Sequence, residues 1–98
     1  MKQLRILVAD DHSIVRKGIS QIISETENMH VVCEAENGNQ VLELLDNEEI
    51  HVVVLDINMP DKNGLETLKE IKEKRPNLPV LILSMYEEDL YALTITHK

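Results

Sequence analysis

Four short apolar runs divide the chain: Leu4–Ala9, Met29–Ala35, His51–Ile57 and Val80–Ser84, all rich in Val, Ile and Leu. The third and fourth are almost continuously apolar, the pattern of strands covered on both faces of a parallel sheet. In the second, Val31, Cys33 and Ala35 alternate with Val32, Glu34 and Glu36, which predicts a more exposed strand near an edge. Helical periods fill the gaps. Ile14, Val15, Gly18, Ile19, Ile22 and Ile23 recur at helix spacing, with Arg16, Lys17, Ser20 and Gln21 between them. Val41, Leu42, Leu44 and Leu45 mark a second helix, opened by Asn37 and Gln40 as a capping box. Leu65, Leu68 and Ile71 mark a third, opened by Asn63 and Glu66 and closed by Pro76 and Pro79. Strand and helix alternate, so the expected class is α/β with a doubly wound parallel sheet in a single domain spanning 1–98.

The end of the chain carries two conflicting signals. Ser84-Met85-Tyr86-Glu87 has the spacing of another capping box, which predicts a short helix from Glu87 that frays after Leu93. Thr94-Ile95-Thr96 is β-branched and poor for a helix, and Leu93, Ile95 and His97 alternate at a strand period.

Composition narrows the function classes. Eighteen acidic against ten basic residues give a net charge of −8 in 98 residues. Nucleic acid and anionic lipid both need a basic face, so neither is expected as a partner. A single cysteine, Cys33, excludes an intrachain disulfide and a cysteine-based zinc cluster. Neither a signal peptide nor an apolar run of membrane-spanning length is visible, so a cytoplasmic location is expected.

The acids fall in an informative pattern. Asp10 and Asp11 end the first strand and Asp56 nearly ends the third. With right-handed crossovers both ends emerge on one rim, and if strand one lies beside strand three the chain order reverses there, leaving a crevice. Three carboxylates brought together repel unless a cation or a proton joins them. Oxygen donors with room for water suit Mg²⁺ better than zinc. Acids at strand ends are also common as plain solvated loop residues. Other acidic motifs fail on spacing. Counting from Asp56, an EF-hand loop would need an acid or amide at Pro60 and glycine at Asp61. A haloacid-dehalogenase phosphatase would need a second Asp at Asn58.

Taken together, Leu7-Val8-Ala9-Asp10-Asp11-His12, Leu55-Asp56-Ile57-Asn58-Met59-Pro60-Asp61-Lys62-Asn63-Gly64 and Val80-Leu81-Ile82-Leu83-Ser84 resemble the receiver domain of two-component response regulators. The likeness is strongest to receivers that precede a LuxR-type helix-turn-helix, and it covers about residues 4–93. It implies a flavodoxin-like fold. It also implies that Asp56 is the phosphoacceptor and a member of the Mg²⁺ site, and that Asp11 is a direct Mg²⁺ ligand. Asp10 would act through metal-bound water, and the Asn58 carbonyl would be a further ligand. Ser84 would be the hydroxyl that follows the phosphoryl group; its plainer reading is a helix cap. Asn58 and Tyr86 would tune the lifetime of the acyl phosphate, or else simply fill surface. His12 is expected to be a helix-start residue, and Gly64 to meet a backbone need at the start of the third helix.

The resemblance further implies a module that is not itself an enzyme beyond Mg²⁺-dependent self-phosphorylation and self-dephosphorylation. A sensor histidine kinase or a small acyl phosphate would be the donor. The family's fifth strand and fifth helix, with a lysine and an aromatic residue, have no match up to Lys98. The expected fold therefore lacks both elements. Strand four would then be a bare edge and the sheet beside the first helix uncovered, so the expected remedies are self-association through either, exchange of segments between chains, or Leu93–His97 folding back as a strand. The alternative reading is a non-signalling interaction module that binds Mg²⁺ but cannot switch. A Mg²⁺-dependent phosphatase is disfavoured by the missing second aspartate and the lack of a general acid.

Overall fold

The structure, a computed structural model, describes residues 3–59, 64–84 and 92–96. Its elements are β1 (Leu4–Ala9), α1 (Ser13–Ser24), β2 (Met29–Ala35), α2 (Gly38–Asn47), β3 (Val52–Asp56), α3 (Gly64–Lys74), β4 (Val80–Ser84) and β5 (Ala92–Thr96). They form one sheet in the order β2-β1-β3-β4-β5. The first four strands are parallel, as the apolar runs predict, and β2 is the half-buried edge.

Alternation along each strand sorts side chains onto two faces. Leu7, Ala9, Val53, Leu55, Val80 and Ile82 pack under α2 and α3 with Val41, Leu45 and Ile71. Ile6, Val8 and Val54 face α1 and its Ile23. The two layers are unequal. On α1 only Ile23 is buried, while Ile14 and Ile22 are exposed, and an open groove runs between Val15, Gly18, Ile19, Ile22 and Leu83. Uncovered apolar surface beside the first helix is thus present, as the sequence suggests.

Local chemistry secures the element ends. The Gln40 N–H donates to Asn37 Oδ1 at 2.9 Å, while the Gln40 side chain accepts from the Glu36 N–H at 2.8 Å. Below β3, the His51 N–H donates to Arg5 O at 2.7 Å and the His51 ring accepts the Arg5 N–H at Nδ1, so an imidazole continues the β1–β3 ladder by one step. Asn63, the expected cap of α3, lies outside the described residues.

At the end of the chain the strand signal prevails over the helical one. Ala92–Thr96 is a strand, antiparallel to β4, with Leu81 opposite Ile95 and Leu83 opposite Leu93. The predicted helix therefore does not reach Leu93, and its remaining residues lie outside the described ones. The edge of β4 is therefore paired with β5 rather than bare. The reason is tertiary. An unpaired parallel strand offers a row of backbone donors and acceptors, and a β-branched pentapeptide satisfies them better than an isolated helical turn. The result is a mixed sheet: four parallel strands of the expected fold plus an antiparallel fifth. Among the described residues, no helix is long and apolar enough to cross a membrane.

Candidate metal and phosphoryl centre

The chain order reverses between β1 and β3, which pair directly with Ala9 opposite Leu55. Asp10 and Asp56, each one residue further on, therefore emerge level with each other on the carboxyl rim. Both are buried, 3% and 8% exposed. Each is held by the same local device, an aspartate whose Oδ1 accepts the N–H two residues ahead. His12 N–H donates to Asp10 Oδ1 at 2.7 Å, and Asn58 N–H donates to Asp56 Oδ1 at 3.0 Å. Short polar side chains at strand ends are thus bent back over their own loops, into the crevice.

Asp10, Asp11, His12 and Asp56 each offer a ligand atom, and these atoms all lie within 4.8 Å of one another. The His12 ring sits among the acids, with Nδ1 3.1 Å from Asp10 Oδ1 and 3.0 Å from Asp11 Oδ1. Only the first contact has hydrogen-bond geometry. Asp11 Oδ1 is consequently a buried carboxylate oxygen without a hydrogen-bond donor. Such an atom is costly unless something positive meets it.

The electrostatics agree. Burial pushes the Asp56 carboxyl above the usual aspartate range, and the charges of Asp10 and Asp11 push it the same way, against the Asn58 N–H and His12. His12 is raised above 6.5, chiefly by its hydrogen bond to Asp10 and then by the charge of Asp11. The cluster holds more negative charge than its surroundings satisfy, and the imidazole partly stands in for a cation. Three oxygen donors, one of them orphaned, fit a hard divalent ion such as Mg²⁺.

Asp10, Asp11 and Asp56 are therefore brought together as the sequence suggests. Asn58 follows on the same rim, with its side chain exposed. Ser84 ends β4, one residue past Leu83, which pairs with Asp56, so its backbone reaches the same rim. The Ser84 side chain and all of Tyr86 lie outside the described residues. His12 does occupy the helix-start position, immediately before α1, but its side chain does not cap the helix. Its ring belongs to the acidic cluster instead, which sequence reasoning underrated. The Asp-Asp-His order was the available signal.

Arg16 was overlooked as well. Its Nη1 donates to Asp10 O at 2.7 Å and its Nε to Glu34 Oε1 at 2.8 Å. Nothing in the helical period of α1 separates Arg16 from a solvated face, because its partner arrives from another strand. Gly64 packs so closely against the segment after Asp56 that an added Cβ would lie 2.1 Å from Ile57 Cα and 2.9 Å from Asp56 O. The backbone need foreseen there is one of space.

Comparison with known proteins agrees with this geometry. The response regulator receiver domain family matches residues 6–97. The transcriptional regulatory protein YdfI of Bacillus subtilis is 39% identical over 85 residues, covering 87% of this chain and 39% of its own length. The nitrate/nitrite response regulator protein NarL of Escherichia coli is 41% identical over 87 residues, covering 87% of this chain and 40% of its own length. A crystal structure of a LuxR-family two-component response regulator from Aurantimonas sp. superposes with a TM-score of 0.82 at 29% identity, covering 88% of this chain and 61% of that one. The chain spans about two-fifths of the length of these curated relatives. With the sheet order, the acidic rim and a family match over nearly its whole length, this chain belongs to the response regulator receiver domain family.

Proposed function

We propose that the chain is a phosphoacceptor module of a two-component phosphorelay, taking a phosphoryl group on Asp56 with Mg²⁺ as cofactor. The observation that carries this reading is the convergence of Asp10, Asp11 and Asp56, with Asp11 Oδ1 left without a donor. Mg²⁺, when bound, offsets the repulsion between a carboxylate and an anionic phosphoryl group and stabilises charge on the transferring oxygens. Asp11 would hold it directly, Asp10 through water, and Asp56 and the Asn58 carbonyl would complete the protein's share.

An Asp56 carboxylate oxygen then attacks phosphorus. The new bond is P–O, and the bond to the donor breaks with its electron pair leaving on the donor. That donor is the phosphohistidine of a sensor kinase or a small acyl phosphate. Burial of Asp56 favours the step, because a poorly solvated carboxylate is a stronger nucleophile than one in bulk water. Ser84, ending the neighbouring strand, would supply the hydroxyl that follows the phosphoryl oxygens. Asn58 and Tyr86 would flank the route of hydrolytic water.

Intact mass after treatment with acetyl phosphate and Mg²⁺ tests the reading. One phosphoryl adduct is expected, absent without Mg²⁺ and absent in Asp56→Asn. An adduct that persists in Asp56→Asn would move the acceptor elsewhere.

One observation favours a second reading. β5 lies antiparallel on the outer edge of β4, where the family resemblance implies a parallel fifth strand. A module built this way would keep the Asp56 chemistry while an antiparallel β5 holds β4 in place. Unchanged amide exchange in β4 on phosphorylation would support it.

The position of His12 sets a pH dependence. Its folded pKa lies above 6.5, so its ion pairing is complete below 6.5 and is lost as pH rises through the folded value. Mg²⁺ competes for the same carboxylates. Addition of Mg²⁺ is expected to lower the His12 midpoint, read by imidazole NMR, and Mg²⁺ affinity is expected to weaken as His12 becomes protonated. His12→Ala should flatten that pH dependence.

A further inference from the structure

We propose that Arg16 is a positioning residue for the acidic pair, held to that task by Glu34. The proposal rests on the reading of Asp10, Asp11 and Asp56 as a cation site. Asp10 lies one residue beyond β1. Its N–H donates to Ala35 O of β2 at 3.0 Å, and its carbonyl accepts from Arg16 Nη1 at 2.7 Å. Strand and helix thus grip it from both sides.

That carbonyl belongs to the peptide plane joining Asp10 to Asp11. Fixing its oxygen fixes that plane, and with it the Asp11 N and Cα from which the side chain leaves the backbone. Arg16 thereby acts on the orphaned Asp11 Oδ1 and on Asp10 together, without touching either carboxylate.

The guanidinium is itself constrained. Arg16 is only 12% exposed in its side chain, and its Nε is committed to Glu34 Oε1 at 2.8 Å. Ser20 Oγ reaches the other Glu34 oxygen at a long 3.4 Å. Glu34 lies opposite Val8 in the β1–β2 register, so the pair ties α1 to the edge strand beside the site. Glu34 also has an electrostatic task. A lone guanidinium beside a cation site would repel the cation, and a paired one leaves mainly its hydrogen bond. A planar fork suits two acceptors at fixed angles, which one ammonium cannot serve at once.

The test is a Mg²⁺ titration of the full chain, followed by the amide resonances of Asp10–His12, beside thermal melts. Loss of an outer partner of a metal ligand typically weakens affinity by tenfold or more. Arg16→Met should therefore bind Mg²⁺ roughly tenfold more weakly. Arg16→Lys should recover part of the loss. The phosphorylation rate with acetyl phosphate should return to near the wild-type value at saturating Mg²⁺. A purely structural role would lower the melting temperature and leave the affinity of the folded protein unchanged.

Folded Arg16→Met with wild-type Mg²⁺ affinity overturns the proposal. If that variant fails to fold, Glu34→Ala on the exposed edge strand replaces it. It should weaken Mg²⁺ about threefold, as a partial loss of the same outer contact, and wild-type affinity there is equally fatal. Wild-type protein that binds no Mg²⁺ would remove the cation-site reading itself, and the role of Arg16 with it.

Discussion

Gly64→Ala is expected to be among the most damaging single substitutions in this protein. The new Cβ would meet Ile57 Cα at 2.1 Å, Ile57 Cβ at 2.8 Å and Asp56 O at 2.9 Å, two of them backbone atoms that cannot rotate away. Alanine gains roughly 1 kcal/mol over glycine within a helix. Overpacking against a fixed backbone costs about 1–3 kcal/mol and sometimes more. The second effect wins, and we expect a net loss of ~2 kcal/mol or more, against a total of roughly 5–10 kcal/mol for a domain of this size. The site should suffer too, because the displaced segment carries Asp56 at one end and Asn58 at the other. Gly18→Ala is the internal control. A Cβ there meets nothing within 4 Å, so helix propensity alone should act and stability should rise by about 0.5–1 kcal/mol. Urea unfolding of both variants decides the matter; equal midpoints for Gly64→Ala and wild type would refute the steric argument.

Asp56→Asn is expected to abolish phosphorylation and yet to stabilise the metal-free protein at neutral pH. In wild type the folded pKa of Asp56 is raised, first by burial and then by the charges of Asp10 and Asp11. The native state therefore holds its proton to higher pH than the unfolded chain does. Stability falls as pH rises from 3.8 through the folded value, and the full penalty applies above it. Asparagine removes the charge and keeps an Oδ1 to accept the Asn58 N–H. The gain should be about 1–2 kcal/mol, the usual scale for a buried polar group poorly matched to its site. For a domain of about 100 residues that is roughly 4–8 °C in melting temperature per kcal/mol. Saturating Mg²⁺ should narrow the difference, since it stabilises the wild-type carboxylate. Melting curves at several pH values, with Mg²⁺ and with EDTA, provide the check. A metal-free variant less stable than wild type at neutral pH would show that the acidic cluster is not under strain.

Legibility divided along a physical line. Apolar runs and helical periods marked β1, β2, β3, β4 and the three helices, because burial on two faces or on one leaves its period in the residues themselves. Asp10, Asp11 and Asp56 were visible as a site because right-handed crossovers send parallel strand ends to one rim. The Asn37–Gln40 cap was legible because its bond spans only three residues.

Contacts between distant segments were not legible. The Arg16–Glu34 pair joins a helix to an edge strand 18 residues on, and neither residue signals the other. The 2.1 Å constraint at Gly64 depends on how α3 lies against Ile57. At Ala92–Thr96 the competition was between a local helical signal and an open strand edge. The edge won because backbone groups on β4 gain partners that a short helix would leave them without. The sequence by itself determined which residues could form strands, helices and an acidic rim. Tertiary structure decided which of those signals prevailed at the end of the chain, and which side chains hold the rim in place, because both depend on groups far apart in the chain.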